Sequence, residues 1–282
     1  EDWGPRERPA VMPFARGTPQ GVLDNVVVIP FNELEIARAL LEERAAEIAG
    51  VIIDPYPARL GFTAAEPVFL QALREFCDRN GSVLIFDEVF CNRASYHGAQ
   101  GRAGVLPDLV ALGKIIGGGF PIGAIGGRAA VMAVFDNLAG PLAVSHSGTF
   151  TGNPIAMAAG LAAMRLLTPE TFDRLERQGD RLREGLTRQI DAAGLAMRAN
   201  GFGSMTSLQL FRHPIRTYRE FHLQSGPGYL RRMQDLHRHL LNEGVLMATR
   251  GLMIGSTPMT DADIDETIER CGRAFVRFAG AA

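Results

Sequence analysis

Two side chains that can do covalent and acid–base chemistry stand at the ends of short apolar runs. Asp87 follows the run "VLIF", and Lys114 follows "DLVALG" further along the chain. Lys114 is the only lysine among 29 basic residues, and Gly117, Gly118 and Gly119 come shortly after it. A biased composition explains why lysine is rare in this chain, but it does not explain why one lysine remains at position 114.

Lysine and arginine differ in the covalent chemistry that they can perform. A guanidinium stays protonated and is not a usable nucleophile, whereas a desolvated lysine can lose its proton. A lysine among glycines at a strand end, with a strand-end acid nearby, suits pyridoxal phosphate (PLP) chemistry. In that chemistry the lysine forms a Schiff base with the cofactor aldehyde, and the acid keeps the pyridine nitrogen protonated. We therefore expect Lys114 and Asp87 to share one catalytic site.

The first part of the chain alternates between strand-like and helix-like patterns. Strands are predicted at residues 25–31, 51–54, 82–89, 108–113 and 121–127, and helices at 33–50 and 67–79. The continuous apolar run at 82–89 is typical of a parallel strand covered on both faces. This alternation predicts an α/β sheet. Because ligands bind outside the carboxyl ends of strands in such sheets, Asp87 and Lys114 are expected at the ligand-binding edge.

The pattern changes after residue 153. Helices are predicted from 153 to about 167, over 170–194, over 229–242 and after Thr260, with Asp263 as a capping partner. Strand-like segments lie at 197–211, 245–249 and 252–254. We predict two units: residues 1–167 as part of a large domain that binds the cofactor, and residues 168–282 as a smaller C-terminal domain.

Composition excludes several classes of partner. The net charge of −2 gives no reason to expect nucleic acid or a membrane surface, and no apolar run is long enough to span a bilayer. Three widely spaced cysteines, Cys77, Cys91 and Cys271, indicate reduced thiols in a cytoplasmic compartment. His237 and His239 stand two apart on a predicted helix and so point to different sides, and we expect no metal site there.

Three segments carry a resemblance to a known family: "LIFDEV", "PDLVALGKIIGGGFPIGAIGGR" and "SGTFTGNPIAMAAGLAAMRLL". They resemble the class III aminotransferases, which include glutamate-1-semialdehyde aminomutases and β-amino-acid aminotransferases. The resemblance runs from about Val26 to the end of the chain. It implies the PLP-dependent fold of the aspartate-aminotransferase type, in which a mostly parallel sheet lies between helices and a smaller α+β domain follows. It also implies a homodimer.

The resemblance implies roles for five residues. Lys114 would form the Schiff base, Asp87 would pair with the pyridinium nitrogen, and Val89 would pack against one face of the ring. Thr149 would reach the cofactor phosphate across the dimer interface, with a plain helix-entry hydroxyl as the alternative. Arg250 in "MATRG" is the candidate for holding a substrate carboxylate, because arginine suits bidentate recognition, and a solvated arginine is the equal alternative.

Two departures from the family pattern affect these expectations. Family chains are longer at the N-terminus, where they carry a glycine- and serine-rich loop for the phosphate and an aromatic residue that stacks on the ring. We expect both features to lie outside residues 1–282. The family also often has Glu-Pro and a glycine-rich segment where this chain has "VIIDPYPARLGF", with the shorter Asp54 and a single glycine, Gly61.

The primary functional prediction is a PLP-dependent aminotransferase. It would move an amino group between an amino acid, including a β-amino acid, or an amine and a keto acid, with Lys114 shuttling a proton. An aminomutase of the glutamate-1-semialdehyde type is the alternative, and a requirement for a separate keto acid distinguishes the two. A catalytically silent fragment or scaffold without the phosphate loop is a third interpretation, which absorbance near the imine band would test.

Overall fold

The first sheet has four strands, ordered β1 (Gly50–Ile53), β2 (Val83–Asp87), β3 (Leu109–Gly113) and β4 (Gly123–Gly127). The computed structural model describes residues 3–136, 138, 140, 141 and 143–280. Strands β1, β2 and β3 run parallel, and β4 pairs antiparallel with β3. The predicted mostly parallel sheet is therefore confirmed, and β4 is its antiparallel member.

The register of the parallel strands brings their carboxyl ends to one edge of the sheet. Ile53 pairs with Phe86, and Asp87 pairs with Ala111. Asp54 and Lys114 directly follow β1 and β3 in the sequence. Asp54, Asp87 and Lys114 therefore leave the sheet at the same edge, where ligands bind in open α/β sheets.

Within the described residues, six α-helices accompany this sheet. They are α1 (Gln20–Asp24), α2 (Leu34–Glu43), α3 (Pro67–Asn80), α4 (Gly98–Ala103), α5 (Ala129–Met132) and α6 (Pro154–Arg165). The apolar stripes of α2 and α3 pack on β1 and β2, where Leu41, Phe69, Leu73 and Phe86 are buried in one cluster. Helix α3 begins with a proline in its first turn and ends at Gly81, whose φ of 66° closes the helix in the left-handed region.

The remaining elements belong to a second sheet and to the helices that accompany it. They are α7 (Pro169–Ala192), β5 (Arg198–Phe202), β6 (Met205–Gln209), α8 (Tyr218–Ser225), α9 (Tyr229–Asn242), β7 (Leu252–Ile254) and α10 (Asp261–Gly280). Strands β5, β6 and β7 form an antiparallel sheet in that order. Helices α7, α9 and α10 cover it through a core that includes Leu186, Leu208, Met233 and Phe275. The division at residues 167 and 168 stays a prediction.

A third cluster joins the two sheets. It contains Tyr56 and Phe62 from the segment after β1, Cys91 from the segment after β2, and Phe202 and Met205 from the second sheet. The ring centroids of Tyr56 and Phe202 lie 4.4 Å apart. The loops that follow β1 and β2 are thus packed against the C-terminal elements. None of the described helices has the length and apolar character that crossing a membrane requires.

Two predicted strands are wrong. Residues 25–31 and 245–249 lie outside the strands of the described chain. Phe31 packs partly buried against two clusters, and Val245 and Met247 are buried in the C-terminal core. Phe31, Val245 and Met247 pack into these clusters without belonging to a strand of the described chain. A short apolar run has the same periodicity in both settings, so the sequence pattern did not separate them.

Asp108 connects the start of β3 to the neighbouring elements. Its carboxylate is 3% exposed and accepts hydrogen bonds from the Leu84 N–H, Arg74 and Arg128, each at 2.8 Å. Burial would raise the pKa of this carboxyl, but the three donors and the charge of Arg74 together lower the pKa below its ordinary 3.8. The folded structure therefore stabilises the charged form of Asp108.

We expect Asp108→Asn to lower the free energy of unfolding by about 3 kcal/mol, because it leaves buried donors and Arg74 without a carboxylate. Urea denaturation at pH 7 measures this loss. Because the folded pKa is depressed, the contribution is present above about pH 4 and is lost as the pH falls through the folded value. Asp78→Asn is the control: it removes an exposed ion pair to the same Arg74 and should cost less than about 1 kcal/mol. Equal losses in the two variants would contradict this account of Asp108.

Candidate active site

Lys114 occupies a strained backbone position at the carboxyl edge of the first sheet. It opens a 3₁₀ turn, Lys114–Gly117, directly after β3, and its φ is 51°. The left-handed region costs a residue with a Cβ about 1–2 kcal/mol. Its Nζ lies 5.2 Å from the centroid of the Phe90 ring, within the range of a cation–π contact. Such strain persists where the surrounding structure fixes it, and this often occurs at functional sites.

Helix α6 fixes the turn that carries Lys114. A Cβ on Gly160 of α6 would overlap the carbonyl oxygen of Ile116, and a Cβ on Gly118 would overlap the carbonyl oxygen of Ala159. Glycine at both positions lets the helix and the turn meet backbone to backbone. The glycines after Lys114 therefore serve this close approach, and the approach holds Lys114 at the strand end.

Asp87 is the last residue of β2, one strand away from Lys114. Its Oδ1 accepts a hydrogen bond from the Val89 N–H at 3.1 Å, while its Oδ2 accepts none from the described residues. The Val89 side chain lies 3.3 Å from where a Cβ of Gly113 would stand. The absence of that Cβ lets Val89 approach the strand that ends at Lys114. The structure therefore brings together Lys114, Asp87 and Val89.

Asp54 joins this group from β1. Its Oδ1 accepts a hydrogen bond from the Tyr56 N–H at 2.9 Å. Burial and, to a smaller extent, the negative charge of Asp87 raise the pKa of Asp54 to about 6, although hydrogen bonds from Tyr56 and Cys91 and the charge of Lys114 act in the opposite direction. Sequence reasoning considered Asp54 only as a departure from a family pattern. The signal that identified Asp87, an acid directly after an apolar strand, applies equally to Asp54.

Two residues close to Asp87 in the sequence, Glu88 and Cys91, support the loop that follows β2. Glu88 is fully buried and accepts hydrogen bonds from the Ala99 and Gln100 N–H groups at 2.7 and 3.0 Å. Burial raises the pKa of Glu88, and these N–H donors oppose the rise. The buried Cys91 thiol donates to the Asp87 carbonyl oxygen at 3.4 Å, and burial raises the pKa of this thiol. Both contacts fix the path of residues 87–100.

The structure places Thr149 and Arg250 in two exposed turns. Thr149 is exposed in the turn before α6, a helix whose first N–H groups are capped by Asn153. Arg250 is exposed in the turn before β7 and lines a cavity of about 450 Å³. Neither residue is hydrogen-bonded to Lys114, Asp87 or Val89 within the parts of the chain that the structure describes. A separate cavity of about 470 Å³ opens beside Asp54.

The raised pKa of Asp54 makes stability depend on pH in a defined direction. A carboxyl whose folded pKa of about 6 lies above its ordinary 3.8 contributes stability at low pH, and this is lost as the pH rises through about 6. We expect Asp54→Asn, which keeps an oxygen for the Tyr56 N–H, to gain stability relative to the natural protein between pH 5 and pH 8. The relative gain should be about 1.4 kcal/mol, because about one pH unit of this interval lies below the folded pKa. Urea denaturation at the two pH values measures it.

The control for this prediction is Asp173→Asn, a change at an exposed position on α7. Its effect on unfolding should be small and similar at both pH values. An Asp54→Asn difference that stays constant between pH 5 and pH 8 would show that Asp54 is an ordinary carboxylate.

Comparison with known proteins gives consistent matches. The family model "Aminotransferase class-III" matches residues 20–275. The β-phenylalanine transaminase of Variovorax paradoxus is 41% identical over 95% of this chain and 60% of its own length. The glutamate-1-semialdehyde 2,1-aminomutase of Bacillus subtilis is 36% identical over 95% of this chain and 61% of its own length.

The solved structures agree with these matches. An omega-transaminase from Sphaerobacter thermophilus superposes with a TM-score of 0.92 at 43% identity, covering 97% of this chain and 62% of its own. A structure described as a transaminase with PLP bound has a TM-score of 0.87 at 37% identity, covering 95% and 61%. The fold is thus that of the PLP-dependent transaminases, and the chain spans about 60% of the length of the curated relatives that it matches. The chain belongs to the class III aminotransferase family.

Proposed function

We propose that this protein is a PLP-dependent aminotransferase in which Lys114 binds the cofactor covalently. The observation that carries the proposal is the placement of Asp87 at the end of β2 and of Lys114 directly after the adjacent parallel strand β3, with the Val89 side chain packed beside Gly113 of β3. An amine, a carboxylate and an apolar side chain then converge on one edge of the sheet. Membership of the class III aminotransferase family supports the same activity.

The donor set at this edge fits pyridoxal phosphate. When bound, PLP supplies an aldehyde that joins an amine and a ring that withdraws electrons from the substrate carbon. The Asp87 Oδ2, which accepts no hydrogen bond from the described residues, is the acceptor available for the protonated ring nitrogen. Val89 offers an apolar surface for one face of the ring, and Lys114 offers the only side-chain amine in the chain.

Asp87 and Lys114 would have different roles in the reaction. Asp87 holds a proton on the ring nitrogen, because an ionised carboxylate stabilises the adjacent positive charge. Lys114 first anchors the cofactor. When it is free of the cofactor, the Lys114 Nζ would act as the base that moves a proton at the substrate carbon. The left-handed backbone of Lys114 and the contact with α6 keep the amine in place for both roles.

For substrates, we propose an amino donor that carries a carboxylate, including β-amino acids, and a keto acid as acceptor. The name of the relative from Variovorax paradoxus, a β-phenylalanine transaminase, supports this class. Arg250 is the proposed partner of the substrate carboxylate, since it lines a cavity and has a fork of donors. An aminomutase is the second candidate because of the 36% identity with the Bacillus subtilis enzyme.

Assembly and location complete the proposal. We propose a two-fold homodimer in which Thr149 serves the phosphate of the neighbouring subunit. Thr149 lies exposed beside α6, and apolar side chains of α6, among them Ile155 and Leu161, are themselves 61% and 54% exposed. Exposed apolar surface of this kind commonly marks a contact between subunits. Three buried free cysteines support a reducing, cytoplasmic compartment.

Borohydride reduction in the presence of PLP is the direct test of the anchor. Because Lys114 is the only lysine among residues 1–282, the added mass should appear in this part of the protein on its peptide alone. Lys114→Arg keeps the positive charge but has no usable nucleophile, so it should take up no label. Peptide mass spectrometry of both proteins makes the measurement. Label on another peptide of this region, or retention of label in Lys114→Arg, would refute the anchor.

Asp87→Asn tests the electron sink. The variant should still take up the borohydride label at Lys114, but turnover should fall by about 10² or more, since the ring nitrogen loses its proton partner. Peptide labelling and transamination rates are measured on the same samples. Asp173→Asn, an exposed change on α7, should leave both values unchanged. Near-normal turnover of Asp87→Asn would remove Asp87 from the mechanism.

A further inference from the structure

We infer that Phe90 is a positioning residue for Lys114, and that its ring face holds the Nζ atom at the carboxyl edge and stabilises the positive charge there. The Nζ lies 5.2 Å from the centroid of the Phe90 ring, a distance at which a ring face attracts a cation. The inference rests on the proposed function in one respect, because it takes Lys114 as the residue that binds the cofactor. It adds a side chain that determines where the amine lies.

The Phe90 ring is the close partner of this amine. Within the described residues, the Lys114 Nζ donates no hydrogen bond and forms no ion pair, and its contact with the ring is the one directional interaction of the side chain. A lysine side chain has four rotatable carbons and three donors, so without a partner its Nζ samples many positions. The ring therefore restricts an amine that no hydrogen bond of the described chain restricts.

The titratable groups around the amine come from β1 and β2. The Asp54 carboxyl, after β1, interacts with the charges of Asp87 and Lys114, and burial raises the pKa of Asp54 to about 6. In the proposed function Asp87 serves the ring nitrogen of the cofactor. Burial raises the pKa of the Cys91 thiol, so this thiol stays uncharged. Strand β4 has no titratable residue, and α6 meets the turn through small uncharged residues. Phe90 is therefore the neighbour available to hold the amine itself.

The Phe90 ring is itself held from the second sheet. Its centroid lies 5.7 Å from that of Phe62, and the Phe62 centroid lies 6.3 Å from that of Phe202, the last residue of β5. Phe62 is 2% exposed and has a φ of 63°, a conformation that a residue with a Cβ rarely adopts unless its surroundings fix it. Phe90 packs partly buried against the cluster that contains both rings. Three rings in series thus connect the second sheet to the amine.

An aliphatic side chain at position 90 would fill the same space without the same electrostatics. The face of an aromatic ring carries partial negative charge, which an aliphatic group lacks. The charge on the nitrogen matters for the reaction, because a protonated nitrogen withdraws electrons from the carbon to which it is bound and opens that carbon to attack by an amine. The inference therefore predicts an effect of the ring on charge, beyond its effect on packing.

A spectroscopic titration of the PLP-loaded protein is the test. The visible absorbance of the bound cofactor changes when the nitrogen that joins it to Lys114 gains or loses a proton, so the pH midpoint of the change reports how well the charge is stabilised. Phe90→Met keeps an apolar side chain but has no ring face. Its midpoint should move to lower pH by about 0.5 unit or more, because the protonated form loses stabilisation and the neutral form does not. Phe90→Leu repeats the test with a second aliphatic side chain.

Two further variants separate charge from packing. Phe90→Tyr keeps a ring face, so its midpoint should stay within about 0.2 unit of that of the natural protein. Phe202→Met removes a ring from the same cluster, but this ring faces Arg102 at 4.8 Å rather than Lys114, and the midpoint should not move. Asp54 is present in every variant, so its own ionisation does not enter the differences between them. Circular dichroism and the unfolding midpoint confirm that each variant is folded.

Three outcomes overturn the inference: midpoints of Phe90→Met and Phe90→Leu that stay in place or move to higher pH, a displacement in Phe90→Tyr as large as that in Phe90→Met, or an equal displacement in Phe202→Met. The failure of this inference is distinguishable from the failure of the proposed function. Borohydride label on Lys114 together with an unchanged midpoint in Phe90→Met would refute the role of Phe90 alone. No label on Lys114 in the natural protein would refute the anchor, and with it the inference that rests on the anchor.

Discussion

The parallel register of β1, β2 and β3 is the constraint on which the candidate active site depends. It places Asp87 opposite Ala111 and carries Asp54, Asp87 and Lys114 to one edge. A slip of one residue would exchange the faces of the sheet toward which Asp87 and Glu88 point, because side chains alternate along a strand. Glu88 is buried where two N–H groups receive it, so the slipped register would leave those donors without a carboxylate. The buried contact from the Leu84 N–H to Asp108 holds the same register from the other end of the strands.

Local strain and close packing act together at Lys114. A glycine or an asparagine would occupy its left-handed backbone position at lower cost, yet neither supplies an amine. The strain is balanced by the contact between α6 and the turn, which only glycine at positions 118 and 160 permits. This explains why one lysine survives in an arginine-rich chain and why glycines follow it. In the proposed function the chemistry requires the amine of Lys114, and the position of this residue depends on the close approach of α6 to the turn.

Much of this arrangement could be predicted from the sequence, and the exceptions have physical causes. The strands that lead to Asp87 and Lys114 could be predicted because their apolar runs are continuous and are followed by polar residues. The strands predicted at 25–31 and 245–249 were wrong because an apolar run indicates burial but does not indicate which element the run packs against. The proximity of Asp54 to Asp87 follows from sheet order, which no local pattern contains.

The segment from Asp54 to Phe62 runs from the carboxyl edge of the first sheet to the wall of the cavity that Arg250 lines. Asp54 lies at one end beside Asp87, and Arg59 lies near the other end in the cavity wall. Between them Tyr56 packs in the cluster that joins the two sheets. The backbone beyond Arg59 has little freedom, because the Gly61 carbonyl oxygen accepts a hydrogen bond from Asn200 at 2.7 Å and Phe62 has a φ of 63°. The segment is therefore held at both ends, by the Tyr56 N–H at Asp54 and by Asn200 of β5 at Gly61, so the packing between the two sheets fixes the path of the chain that leaves the edge at Asp54.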